Sequence, residues 1–152
     1  SNVGTGGVPT TASIDELRQL MALQTDGNAN ALGISPSFLI VPEALRGKCI
    51  AIIESETEMA ASQNNSRRPN YVRNIADVIS DARLDADSSV KYYMAANPAM
   101  HDTIEVAYLD GVQEPYLEQK AGWTVDGVEM KVRIDAGVKA LDHRTMAYNA
   151  GA

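Results

Sequence analysis

Residues 128–140 read VEMKVRIDAGVKA, and this stretch decides the fold. Val128, Met130, Val132, Ile134, Ala136, Val138 and Ala140 hold the even positions, all apolar or small. Glu129, Lys131, Arg133, Asp135, Gly137 and Lys139 hold the odd ones. An unbroken period of two predicts a strand with one face on a core and one in water. A helix would scatter the even residues round its circumference. At about 3.3 Å per residue the strand would run roughly 40 Å, about twice the ordinary length. A strand that long requires an equally long partner, so the stretch predicts an extended ribbon or a connection between two regions.

The segments before it supply the partner. Thr103–Leu109 alternates Ile104, Val106 and Tyr108 inward, and Asp110-Gly111 is a tight-turn dipeptide. Residues 113–125 form a second strand, with Pro115 tolerable at an edge. Asp126-Gly127 is a second turn that delivers the chain into Val128. Residues 103–140 therefore predict a three-stranded antiparallel meander with two Asp-Gly hairpins. The polar, small-residue tail HRTMAYNAGA is expected to fray.

Towards the N-terminus, residues 1–12 are rich in Gly, Thr and Pro without periodicity and predict a flexible lead-in. Ser1-Asn2 fits the scar left by a protease, which would make the chain a piece cut from a longer protein. Ser13 with Glu16 forms a capping box that opens a helix to about Thr25. Its apolar stripe is Ile14, Leu17, Leu20 and Met21. Phe38–Val41 is a short apolar strand, buried on both faces. Pro42 then starts a helix whose inner face is Leu45, Cys49, Ile52 and Ile53. Residues 54–70 predict a mobile surface loop carrying the one adjacent basic pair, Arg67 and Arg68. Residues 74–80 and 90–96 predict two more strands. Two helices followed by about six strands is an α+β pattern rather than a wound βαβ series.

Composition narrows the function classes. The chain has 152 residues and a net charge of -7. That is enough for one cored domain, and the acidic balance argues against non-specific nucleic-acid binding. Cys49 is the one cysteine, so an internal disulfide is excluded. No apolar run reaches the ~18 residues of a membrane span. A nucleophilic triad has few members to draw on: two histidines, His101 and His143, and no nucleophile elbow. His101-Asp102 and Asp142-His143 are neighbours in sequence, which on a strand point to opposite faces and suit a shared metal poorly. Glu54, Glu56, Glu58, Asp81, Asp85 and Asp87 lack the ligand order of a calcium loop. No cofactor, metal or catalytic residue is expected. The rival reading is a soluble ligand-binding or hydrolase module with a site around His101, Asp102, His143 and Cys49.

Four segments carry a resemblance: SFLIVPEAL at 37–45, YYMAANPAMHDTIEVAYLDG at 92–111, EPYLEQKAGWTVDGVEMKVRIDAGVKALDHR at 114–144, and YNAGA at 148–152. In this order the chain resembles the major coat proteins of tailed phages, in particular the Mu-like prophage major head subunit. The resemblance implies the Hong Kong 97-type coat fold, here an axial-domain-like region over 13–112 and a long β-hairpin of the peripheral domain with the tail over 113–152. It implies a structural subunit of an icosahedral head. Copies would self-assemble into hexamers and pentamers, with scaffolding or a head-maturation protease as partners, enclosing DNA without sequence-specific binding. It implies location in the virion, and in the host bacterial cytoplasm during assembly. Nothing in the 152 residues matches the family's N-terminal arm, extended loop or spine helix, nor a protease motif. On this reading the chain is a C-terminal fragment. The expected subunit-interface residues are Arg67 and Arg68 on the loop and Glu129, Lys131, Arg133, Asp135 and Lys139 on the charged face of the long strand.

Overall fold

A computed structural model describes residues 2–58, 68–122 and 126–151. They form two compact units: residues 1–103 with 142–152, and Ile104–Leu141. Arg67 and Trp123 lie outside the described residues.

The first unit is built on a four-stranded sheet. Its strands are β1 (Pro36–Val41), β2 (Asp77–Ser80), β3 (Tyr92–Ala96) and the last strand of the chain, Met146–Asn149, in the order β2-β1-β3-last. β1 and β2 are parallel and joined through helix α2 (Glu43–Glu54); the other pairs are antiparallel. So the α+β architecture contains one βαβ unit. The core is Ile14, Leu17 and Met21 of α1 (Thr11–Ala22), Leu39 and Val41 of β1, Cys49, Ile52 and Ile53 of α2, and Tyr92, Met94 and Ala96 of β3. Ile34, Val72, Ala76 and Ala147 complete it. The predicted stripes of both helices face the core, with Leu20 and Leu45 only partly buried against it. β1 is buried at Leu39 and Val41 and half-buried at Phe38 and Ile40, so the prediction of burial on both faces is only partly met.

The start of α1 differs from expectation. Thr10 is the N-cap, and the capping box is Thr10 with Ser13 at N3. Ser13 donates its amide to Thr10 Oγ1 at 3.1 Å and accepts from the Thr10 amide at 2.9 Å. Glu16 instead accepts from the Thr5 amide at 3.0 Å. Two capping hydroxyls three residues apart satisfy each other's orphan amides, so the helix starts earlier.

Two segments expected to be loose are tied down. In the lead-in, the Gly4 amide donates to Tyr148 O at 2.8 Å, the Tyr148 amide to Asn2 O at 2.9 Å, and the Gly7 amide to Gly151 O at 3.0 Å. Residues 2–4 thus cover the outer edge of the last strand. The tail does not fray: Ala147 and Asn149 are buried and the strand pairs with β3 from Tyr92↔Asn149 to Ala95↔Met146. Short polar residues there hide the pairing that their backbone makes. Residues 81–90, for which no helix was expected, contain α3 (Ala82–Asp87), capped by Asp81 accepting from the Arg83 amide at 2.9 Å. Where residues 54–70 were expected to form a mobile loop, the two ends make a narrow neck. The Glu58 amide donates to Arg68 O at 2.9 Å, and Asn70, buried, donates to Ile52 O and Ser55 O at 2.6 and 3.0 Å.

The second unit is a two-stranded ribbon, not a three-stranded meander. β4 (Ile104–Tyr108) pairs with β7 (Ala136–Ala140), and β5 (Tyr116–Ala121) pairs with β6 (Val128–Arg133), both antiparallel. With these labels in place, the last strand is β8. Asp110 and Gly111 do take positive φ, 54° and 73°. They form a tight turn that kinks the outgoing chain without reversing it onto itself. The reason lies in what each strand offers. β7 matches Ile104 with Ala140 and Val106 with Val138, whereas a hairpin closed at Asp110-Gly111 would set Pro115 opposite Val106. Pro115 also lacks an amide for a ladder next to the turn. The long strand is therefore two strands, separated at Ile134-Asp135.

Candidate functional site

The ribbon has two unlike faces, and its register creates them. In the β5–β6 half, Leu117 faces Val132, Gln119 faces Met130 and Ala121 faces Val128. The alternate positions set Tyr116 opposite Arg133, Glu118 opposite Lys131 and Lys120 opposite Glu129. In the β4–β7 half, Ile104/Ala140, Val106/Val138 and Tyr108/Ala136 share one face, with Glu105/Lys139 on the other. Opposite charges are thus matched across the strands. Lys131 Nζ lies 3.9 Å from Glu118 Oε2, and the Arg133 guanidinium lies 5.8 Å from the centre of the Tyr116 ring. Arg133 Nε also reaches Asp135 Oδ2 at 3.3 Å, bracing the break between β6 and β7. Exposed pairs of this kind contribute under about 1 kcal/mol each, but they discriminate against a slipped register.

The other face is the departure from expectation. Even positions of 128–140 were predicted to sit on a core; instead the whole return strand is exposed. Ile104, Val106, Leu117, Val128, Met130, Val132, Ile134 and Val138 are between 51% and 68% exposed. No residue from Ile104 to Leu141 is buried among those described. Two strands have too few neighbours to build a core, and an isolated hairpin is at best marginally stable in water. Contiguous exposed apolar surface of this extent marks a site of contact.

Between the halves, residues 109–115 stand opposite residues 134–135, since Tyr108 pairs with Ala136 and Tyr116 with Arg133. This bulge exposes Leu109 and Val112. Leu109, Val112, Tyr116, Arg133 and Asp135 line a recess of about 150 Å³ beside it.

The expected interface residues fall in three places. Glu129, Lys131, Arg133 and Lys139 lie on the charge-matched face, Asp135 lies at the break, and Arg68 is exposed at the neck of the loop in the first unit. The structure does not join the rival set into a site. Cys49 is fully buried and burial pushes its thiol up to about 11. The His143 side chain is 84% exposed, 3.9 Å from Asp142. Among the described residues no group of three or more His, Cys, Asp or Glu is placed to hold a metal ion.

An exposed apolar face on a ribbon without a core of its own is the kind of surface that contacts between chains cover. Comparison with known proteins agrees: the model of the phage capsid protein family matches residues 1–149. The chain belongs to the phage capsid protein family. Among solved structures, this capsid-family chain is similar to the holo-SrpI encapsulin complex from Synechococcus elongatus PCC 7942. The TM-score is 0.55 at 13% identity, covering 97% of this chain and 51% of the encapsulin chain. The α+β fold is thus that of the Hong Kong 97-type coat proteins. The capsid-family chain spans about half the length of that relative. No curated protein matches it. No helix among the described residues is long and apolar enough to cross a membrane.

Proposed function

We propose that this chain is the axial part and peripheral ribbon of a structural, non-catalytic subunit of an icosahedral phage or prophage head, of the Mu-like major head type. Copies associate into hexamers and pentamers that enclose DNA without reading its sequence. Scaffolding and a head-maturation protease act on the assembly, which forms in the host bacterial cytoplasm and ends in the virion. The observation that carries this reading is the ribbon's exposed apolar face, a surface of the kind that contacts between copies cover. About half of the encapsulin chain has no counterpart here, which supports a longer subunit whose arm, extended loop and spine helix lie upstream. In this reading assembly buries the apolar face. The charged face, with Glu129, Lys131, Arg133, Asp135 and Lys139, meets neighbouring subunits, and Arg67 and Arg68 make contacts round the capsomer axis.

Electron microscopy of the full-length subunit tests the proposal. Closed shells are expected, and the double charge reversal Lys131→Glu/Arg133→Glu should impair assembly with the fold intact. Normal shells from that variant would remove the charged face from the interface. Absence of shells, sheets and capsomers under all conditions would overturn the head-subunit reading itself.

A further inference from the structure

The register of the first unit's sheet sorts its side chains onto two unlike faces. Val78, Leu39, Met94 and Ala147 lie side by side across β2, β1, β3 and β8. They join Ile14, Leu17 and Met21 of α1 and Cys49, Ile52 and Ile53 of α2 in one core. Both helices therefore pack on this face. The adjacent row, Ile79, Ile40, Tyr93 and Tyr148, points to the opposite face. Val3 extends that row through its parallel bridge to Tyr148, whereas a side chain at Gly4 would meet Asn149 and Leu17 on the core side. A second row on the opposite face is Asp77, Phe38, Ala95 and Met146. The Tyr93 and Tyr148 rings lie 6.1 Å apart between centroids. Ile79, Val3 and Tyr148 are 45%, 41% and 36% exposed, and Phe38, Ile40, Tyr93 and Met146 are half-buried.

We propose that this face, on which neither α1 nor α2 packs, is a second surface through which copies of the chain meet in the shell. The proposal rests on the head-subunit reading. A self-complementary patch closes a dimer, and one pair of unlike patches closes a ring or runs on as a filament. A closed shell therefore needs more than one contact, and the ribbon supplies one. Charge selects this face for another. Each copy carries a net charge of -7, so copies repel except where carboxylates are scarce. The two rows hold a single carboxylate, Asp77, at one corner. Size also fits a copy held in an assembly. Five segments about 4.8 Å apart and two rows about 7 Å apart give a patch on the order of 300 Å². A stable dimer buries about 800 Å² per partner. The patch is too small to hold two free subunits together, and it adds binding where other contacts already gather them.

Hydroxyl-radical footprinting of the full-length subunit, before and after assembly, tests the proposal. Oxidation of Tyr93, Met146 and Tyr148 should fall about fivefold on assembly, because the core of an interface loses most of its contact with water. The variant Ile79→Lys/Tyr148→Lys places two charges on the first row at exposed positions. It should keep wild-type hydrogen exchange in the β1–β3 ladder and give small oligomers or open sheets instead of closed shells. Unchanged oxidation in wild-type particles would overturn the proposal, as would normal shells from the variant. If the variant loses ladder protection, the wild-type footprint decides alone. Protection already complete before assembly would show that another part of the same subunit covers the face, and would overturn the contact between copies. Absence of particles from the wild type would overturn the head-subunit reading and this proposal with it.

Discussion

Cys49 sits on the inner stripe of α2 with no exposed surface, and burial raises its thiol to about 11. A thiol that neither ionises nor meets solvent is a small core residue. A thiol-specific reagent at pH 8 should leave the folded chain unlabelled and react fully in denaturant; rapid labelling of folded protein would contradict the packing. The sign follows from the shift. The folded value lies above the ordinary 9.0, so the contribution to stability is complete below pH 9 and is lost as the pH rises through about 11. This residue was legible from helical spacing alone. Asp85 was not. Its carboxylate accepts the Glu43 and Ala44 amides at 2.7 and 3.3 Å, capping a helix whose own N-cap, Pro42, has no side-chain acceptor. Asp85→Ala should cost about 1 kcal/mol in denaturant unfolding. An unchanged midpoint would show that water caps α2 as well as Asp85 does. A cap lent by another helix leaves no local signature, whereas Thr10 and Ser13 stood in plain view and were misassigned by one turn.

At the scale of elements, the period of two in 128–140 located the strands, but periodicity says which residues share a face and not what covers it. The apolar residues were assigned to a core that this chain does not supply, because the faces of α1 and α2 are already used by the sheet of the first unit. The hairpin partner was also invisible. Asp110-Gly111 has the backbone of a tight turn, yet register is chosen by the match of whole strands, and β7 matches β4 better than β5 does. The tail was misread for the related reason that β8 is held by its backbone and by residues 2–4. From exposure, Met130→Gln should shift unfolding of the chain by under about 0.5 kcal/mol. In full-length subunit the same change should lower the yield of particles. A large loss of stability in the isolated chain would mean that Met130 packs internally.

For the molecule as a whole, acid should destabilise through its bonded carboxylates. Burial raises Asp15, but bonds from Arg18 and Gln19 outweigh it and the net shift is downward. Asp26 is lowered by bonds from Asn30 and Asn28, and Asp142 by the Arg144 fork. Each folded value lies below the ordinary 3.8, so their contributions are complete above about pH 4 and are lost as the pH falls through the folded values. Thermal midpoints should fall as the pH drops below about 4; an unchanged midpoint there would contradict the stabilising role of these bonds. Fold class and family resemblance were legible over most of the length because the positions of most strands along the chain and the strand–proline–helix unit at 37–45 are written locally. The division into a cored unit and a ribbon with an exposed apolar face was not, since periodicity does not say what covers a face. The most direct test is electron microscopy of the full-length subunit beside its Met130→Asp/Val132→Asp variant. Closed shells from the wild type, and none from a variant whose first unit keeps its hydrogen-exchange protection, is the predicted result. Shells of normal size from the variant would contradict the claim that this face is what assembly buries.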